Sequence, residues 1–304
     1  MKVRIGYGLG TSTSTGGGER LGRLADALER HRFDSLWLSE RVTGPAVDPI
    51  VGLSYVAGRT SRLKLGFSVL VLPGRNPVLL AKELASLDHL CNGRLLPAFG
   101  LGVANPAEQQ AFGIAREDRA KTFNEVLPLL RRLWAEDGVT HRGTRYQYED
   151  ITVRPRPVQD PLEVWMGGAA PGELRRVGRH GDGWLPSFCT PESVQEGRRI
   201  VEEAASAAGR RIDDEHWGAF VVYSQGPLPD RLAALIAARR PGTDPNDVVP
   251  SGLPAVTRLL ERYVEVGFSK FVLAPATEPA DWDEEIAEVA AEVLPLQNGA
   301  PAVA

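Results

Sequence analysis

The feature that most constrains this chain is an alternation. Short apolar, β-rich runs are separated by stretches of helical periodicity along nearly its whole length. Val3–Leu9 reads as a first strand, Ser35–Ser39 as a second, Leu63–Leu72 as a third and Arg94–Phe99 as a fourth. Leu162–Met166, Gly183–Ser187, Ala219–Tyr223 and Lys270–Ala274 supply four more. Between them Leu21, Leu24, Ala25 and Leu28 recur at helical spacing, as do Leu80, Leu84, Leu87 and Leu90. Phe123, Val126, Leu127, Leu130, Leu133 and Trp134 do the same, with Pro128 expected to kink that helix. A further helix is expected near 191–208. Asp48-Pro49 and Asn76-Pro77 are helix starts: a capping side chain, then a proline where no N–H is needed.

Strands interleaved with helices predict a parallel sheet, and eight strands are the number that closes a barrel. The expected fold is α/β, a single (β/α)8 TIM barrel spanning residues 1–297. It carries an insertion after strand 4, where residues 139–158 lack a helical period, and a smaller one before strand 8, at Arg240–Pro250. Residues 298–304 are expected to form a flexible C-terminal tail. A doubly wound open sheet is the competing architecture. Gly6-Tyr7-Gly8-Leu9-Gly10 invites it, but the dinucleotide-binding spacing is missing and no helix opens directly from it.

Composition excludes several function classes. The net charge is −4 and the basic pairs are scattered, so no nucleic-acid footprint is expected. Cys91 and Cys189 are too few for a disulfide framework and suit a reducing cytoplasm. The first residues lack the apolar core of a signal peptide, and Phe67–Leu72 is too short to cross a bilayer. A cytoplasmic location with no membrane partner is therefore expected. His31, His89, His141, His180 and His216 lie far apart without metal-ligand spacing, so no metal is expected. Neither a nucleophile elbow nor a P-loop occurs. The Thr11–Thr15 hydroxyls read as part of a flexible loop.

In a barrel the chemistry sits at the C-terminal ends of the strands. That selects Glu40 and Arg41 after strand two, Ser68, Val69 and Leu70 in strand three, and Leu101 after strand four. Gly167-Gly168-Ala169-Ala170-Pro171-Gly172 after strand five runs straight into a helix. Free N–H groups and the helix dipole there favour an anion such as a phosphate, and small side chains allow close approach. A tight turn without a ligand reads equally well on local sequence. Glu40 is a candidate for proton transfer or for hydrogen bonding a cofactor ring; Arg41 can orient or neutralise a ligand but cannot shuttle protons. A solvated rim ion pair is the simpler local reading of these two.

Taken together, these segments resemble the bacterial luciferase-like monooxygenase superfamily, in its coenzyme F420-dependent oxidoreductase branch. The matching segments are Asp34-Ser-Leu-Trp-Leu-Ser-Glu-Arg41, Leu65-Gly-Phe-Ser-Val-Leu-Val-Leu-Pro73, Asn76-Pro77 and Asn92-Gly93-Arg94. Glu108-Gln-Gln-Ala-Phe-Gly113, Val164-Trp-Met-Gly-Gly168 and Gly181-Asp-Gly-Trp184 follow in family order, over roughly residues 1–190. The resemblance implies a tricyclic ring at the strand ends, a non-proline cis peptide near Ser68-Val69, and a cofactor phosphate on Gly168, Ala169, Ala170 and Gly172. It implies that Glu40 faces the ring and that the protein is a homodimer. Two positions depart from the sugar-phosphate dehydrogenases of the superfamily. Arg41 stands where a histidine proton donor is common, and Val103 stands nearest to a carboxylate position. The implied activity is hydride transfer between F420 and a small organic substrate. An FMN-dependent monooxygenase fed by a partner flavin reductase is the alternative, and a non-catalytic flavin-binding paralogue a third.

Overall fold

The structure, a computed structural model, describes residues 1–11, 13 and 17–299. Most of the expected hydroxyl loop at Thr11–Thr15, and the tail beyond Gly299, lie outside the described residues.

The chain begins β1 (Arg4–Leu9), α1 (Gly18–Arg30), β2 (Ser35–Leu38), α2 (Pro49–Ala57), β3 (Lys64–Phe67), β4 (Leu70–Val71) and α3 (Pro77–Leu90). It continues β5 (Leu95–Leu96), β6 (Ala98–Gly100), α4 (Pro106–Phe112), α5 (Arg119–Ala135), β7 (Val139–Arg142) and β8 (Gln147–Ile151). Then come β9 (Trp165–Met166), α6 (Pro171–His180), β10 (Gly183–Trp184), α7 (Pro191–Ala207), β11 (Gly218–Tyr223) and α8 (Asp230–Arg239). The last elements are α9 (Pro245–Val248), α10 (Leu253–Glu265), β12 (Lys270–Pro275), α11 (Trp282–Val293) and α12 (Pro295–Gly299).

Two parallel sheets form, in the orders β11-β12-β1-β2-β3-β5 and β10-β9-β6-β4. A parallel bridge from Trp184 to Trp217 links β10 to the start of β11. Each of the eight expected runs thereby has a parallel neighbour on both sides. Two runs differ from expectation. The third is split at Ser68-Val69 into β3 and β4, and the fourth at Pro97 into β5 and β6, since proline has no N–H to give a ladder. Residues 139–158 hold an antiparallel hairpin, β7 with β8. Pro128 sits inside α5 without ending it.

Strand side chains alternate between two environments. Ile5, Tyr7 and Leu9 face the helices in the main core, while Trp37, Leu96, Ala98, Trp165, Leu185 and Val272 fill the space between strands. The two tryptophans fit because their neighbours lack side chains: a Cβ on Gly66 would fall 2.3 Å from Trp37, and one on Gly183 2.5 Å from Trp165. At the N-terminal ends of the strands lies an ion pair, Lys270 Nζ 2.5 Å from Asp34 Oδ2, with Lys270 1% exposed. Burial opposes ionisation of Asp34, but Lys270 and Lys64 outweigh it and hold the carboxyl well below the ordinary range. Burial pulls the Lys270 ammonium down to about 8 against the attraction of Asp34. This charged floor leaves the opposite rim for ligand chemistry.

Candidate functional site

The rim is built around the break in strand three. The Ser68-Val69 peptide is cis, where the resemblance expects such a bond. The Ser39 hydroxyl reaches Ser68 O at 3.0 Å and Ser68 Oγ at 3.1 Å, and Ser68 N–H donates to Leu38 O. Val69 is seated against two glycine positions: a Cβ on Gly100 would come 2.5 Å from Val69 Cγ2, and one on Gly167 3.2 Å from Cγ1. Part of the small-residue signal at 167 is therefore packing room for Val69. Leu70 is fully buried in the main core, so of its atoms only the backbone belongs to the rim.

Glu40 lies at the end of β2, but its carboxylate is engaged. Oε2 accepts from Val71 N–H at 2.6 Å and Oε1 accepts from Arg75. Burial raises the Glu40 carboxyl, with Arg75 and the Val71 N–H opposing. Arg75 also donates from Nε to Val71 O, so the pair pins the segment after the cis peptide. The resemblance has Glu40 facing a ring; the geometry gives it a bracing contact. Arg41 is half-buried, within Coulombic reach of Glu108 and Arg239.

The turn after β9 is an anion nest. Gly168 takes φ +90°, a left-handed conformation that favours glycine. Trp184 Nε1 donates to Gly168 O at 2.7 Å. The carbonyl and the Ala169 N–H share one trans peptide plane, so fixing the carbonyl turns the N–H the other way. That N–H and the next one, of Ala170, converge at 3.0 Å each on Glu173 Oε2. A Cβ on Gly168 would lie 2.5 Å from the same oxygen. Ala170, the N-cap, has no side-chain acceptor, so Glu173 supplies only the returning half of a capping box. Gly172 has open space beside it. Arg119 and Arg176, 9% and 7% exposed, both feel the Glu173 charge. Arg119 Nη1 also donates to the carbonyls of Leu101, Gly102 and Val103, tying the end of strand four to the start of α5. Leu101 is half-buried and packs against the main core.

Sequence reasoning missed Arg75, Arg119, Glu173 and Arg176 as rim residues. It also missed Glu108, which accepts from the N–H groups of Val42 and Thr43 and clamps the loop after β2. The Asn105-Pro106 start signal, alike in kind to the two already read, could have revealed α4 and its Glu108. A cavity of about 260 Å³ lined by Arg131, Arg179, His180 and Arg210 lies at the other end of α6. Two of its arginines are taken up by α6 carbonyls and Asp182. Among the described residues no group of three or more His, Cys, Asp or Glu could hold a metal ion. No described helix is long and apolar enough to cross a membrane.

Comparison with known proteins agrees with this architecture. The luciferase-like monooxygenase family profile matches residues 3–289. An F420-dependent glucose-6-phosphate dehydrogenase of Kineococcus radiotolerans is 34% identical over 177 residues, 54% of this chain and 52% of that enzyme. The enzyme of the same description from Nakamurella multipartita is 31% identical over 228 residues, 70% of this chain and 65% of that one. Each match thus spans less than two thirds of the relative's length. The crystal structure of monooxygenase RslO1 from Streptomyces bottropensis superposes with a TM-score of 0.79 at 24% identity, covering 96% of this chain and 99% of that one, a likeness of fold.

Proposed function

The chain belongs to the luciferase-like monooxygenase family, and from that premise we propose that it is an F420-dependent oxidoreductase. It transfers a hydride between the deazaflavin and a small organic substrate, on a closed (β/α)8 barrel. Two relatives described as F420-dependent support the cofactor. The observation that carries the reading is the nest at Gly168–Gly172. Two convergent N–H groups already hold an anionic oxygen within Coulombic reach of two buried arginines, and a side chain at Gly168 would fill the cradle. The residues present fit a phosphate-bearing cofactor.

Ala169 and Ala170 bind the phosphate, with Arg119 and Arg176 as countercharge, and Gly172 leaves room for it. Ser68, Val69 and the Leu70 backbone present a surface to the ring, with Leu101 beside them at the end of strand four. Glu40 and Arg75 hold that surface in place, so Glu40 is a positioning residue. Arg41 orients or neutralises an anionic group. When bound, the deazaflavin supplies the hydride-carrying position, and the protein supplies geometry and electrostatics. Neither Arg41 nor Val103 can move a proton near neutral pH, so a sugar-oxidising scheme is disfavoured and we favour reduction of the substrate.

We further assign this protein to the cytoplasm as a homodimer. Val51 and Tyr55 on α2 and Leu79 on α3 are 67%, 42% and 62% exposed, an apolar face on adjacent helices that fits a second copy. The nest would equally serve the phosphate of FMN, in a monooxygenase fed by a flavin reductase. Calorimetric titration with F420 and with FMN, oxidised and reduced, separates these readings. Saturable binding of F420 is expected. Binding of FMN without F420 would replace the proposal by the monooxygenase, and binding without hydride transfer to a panel of electrophiles would favour the non-catalytic paralogue.

A further inference from the structure

We propose that Glu173 is a built-in competitor of the cofactor phosphate, so that ligand binding is an exchange of one anion for another in the same nest. The inference rests on the reading above that this nest takes a phosphate.

The geometry is specific. Glu173 Oε2 sits at 3.0 Å from both Ala169 N and Ala170 N, the groups that a phosphate oxygen would need. Among the described residues its side chain accepts no other hydrogen bond. The nest has anchors besides the Glu173 carboxylate: Trp184 fixes the Gly168 carbonyl, and with it the Ala169 N–H, while the Ala170 carbonyl accepts from the N–H groups of Glu173 and Leu174 at the start of α6. The nest therefore persists when the carboxylate leaves. Departure is open to it: Glu173 is half-buried in the first turn of α6, and the neighbouring Gly172 faces free space.

Electrostatics make the exchange workable. A carboxylate in the empty nest replaces water on two N–H groups with a charge-assisted contact, and it lies within Coulombic reach of the buried Arg119 and Arg176. An arriving phosphate brings more acceptor oxygens to the same groups. It must first displace a charge-assisted contact. Ligands without a phosphate meet no such competitor. Glu173 thus sets both the affinity and the phosphate selectivity of the site.

The test compares wild type with Glu173→Gln and Glu173→Ala. Each protein is titrated with FMN and riboflavin, and with F420 and its phosphate-free deazaflavin fragment, by calorimetry. Both variants are expected to bind the phosphate-bearing members on the order of tenfold more tightly, with the phosphate-free members unchanged. A purely capping role for Glu173 would lower stability in Glu173→Ala and leave the ratio of phosphate-bearing to phosphate-free affinity as in wild type; that outcome overturns this inference alone. Wild type binding neither F420 nor FMN would overturn the cofactor reading itself. Inorganic phosphate gives an independent readout. The Ala169 and Ala170 amide resonances should shift at lower phosphate concentration in Glu173→Gln than in wild type, and equal concentrations would contradict the exchange.

Discussion

A buried carboxylate ionises only as far as neighbours replace its water, and at Glu40 the Val71 N–H and Arg75 offset part of the burial that raises it. Removing it leaves Arg75 and that N–H without their partner. Glu40→Ala should cost about 3 kcal/mol of unfolding free energy, measured by urea denaturation. It should also weaken cofactor binding through the Ser68–Val71 segment. Unchanged stability would mean the pair carries no weight. Gly168→Ala tests the nest from the other side. A Cβ at φ +90° costs about 1–2 kcal/mol and would press on the oxygen that the nest holds. Loss of F420 affinity with an intact circular dichroism spectrum is expected; unchanged affinity would put the phosphate elsewhere. The sequence made Glu40 and Gly168 legible because strand ends can be counted. It could not show which groups meet them. Arg75 lies 35 residues from Glu40, and the pairing depends on how the end of β2 meets the segment that follows β4.

Among the elements, the helix starts were the clearest text. Asp48 and Asn76 accept from the N–H groups two and three residues on, with Pro49 and Pro77 following, as read from the sequence. Asn105 does the same for α4. That helix was overlooked because its seven residues are too few to display a period. Asn105→Ala should cost about 1 kcal/mol and speed hydrogen exchange at Val42 and Thr43, since α4 carries the Glu108 that binds them. Exchange unchanged at those two sites would show that the loop stands without α4. The break at Pro97 was not legible as a strand end, because apolar composition continues across it, and the one at Ser68-Val69 was foreshadowed only by the cis peptide that the resemblance implies. Hydrophobicity reports burial, whereas a strand also requires ladder hydrogen bonds. The 139–158 segment shows the converse: its lack of helical period was plain, but β7 and β8 are short and largely exposed, so no alternation announced them.

For the whole molecule, the division between a charged floor and a ligand rim follows from where polar groups fall along the strands. Asp34 and Lys270 mark the floor, and no local pattern tells that residues 236 apart would pair. Because folding depresses the Asp34 pKa, its stabilisation is complete above the ordinary carboxylate value near ~4 and is lost as pH falls through the folded value. Asp34→Asn should therefore be about 3–5 kcal/mol less stable at neutral pH, with Lys270 left unpaired. Its urea midpoint should also fall less steeply than that of wild type below pH 4. Parallel acid limbs would remove Asp34 from the account. The apolar face of α2 and α3 makes a second prediction at this scale: wild type should sediment as a dimer at equilibrium, and Val51→Asp with Leu79→Asp as a monomer. A dimer for both would place the contact on another surface, and a monomeric wild type would remove the dimer.

The central claim is that the C-terminal rim holds a phosphate-bearing deazaflavin. A crystal structure of the chain with F420 bound tests it most directly. The account predicts a phosphate oxygen on the Ala169 and Ala170 N–H groups, Glu173 swung away, and the ring against Val69. A phosphate seated in the cavity between α5 and α6, or a ring remote from the Ser68-Val69 break, would contradict it.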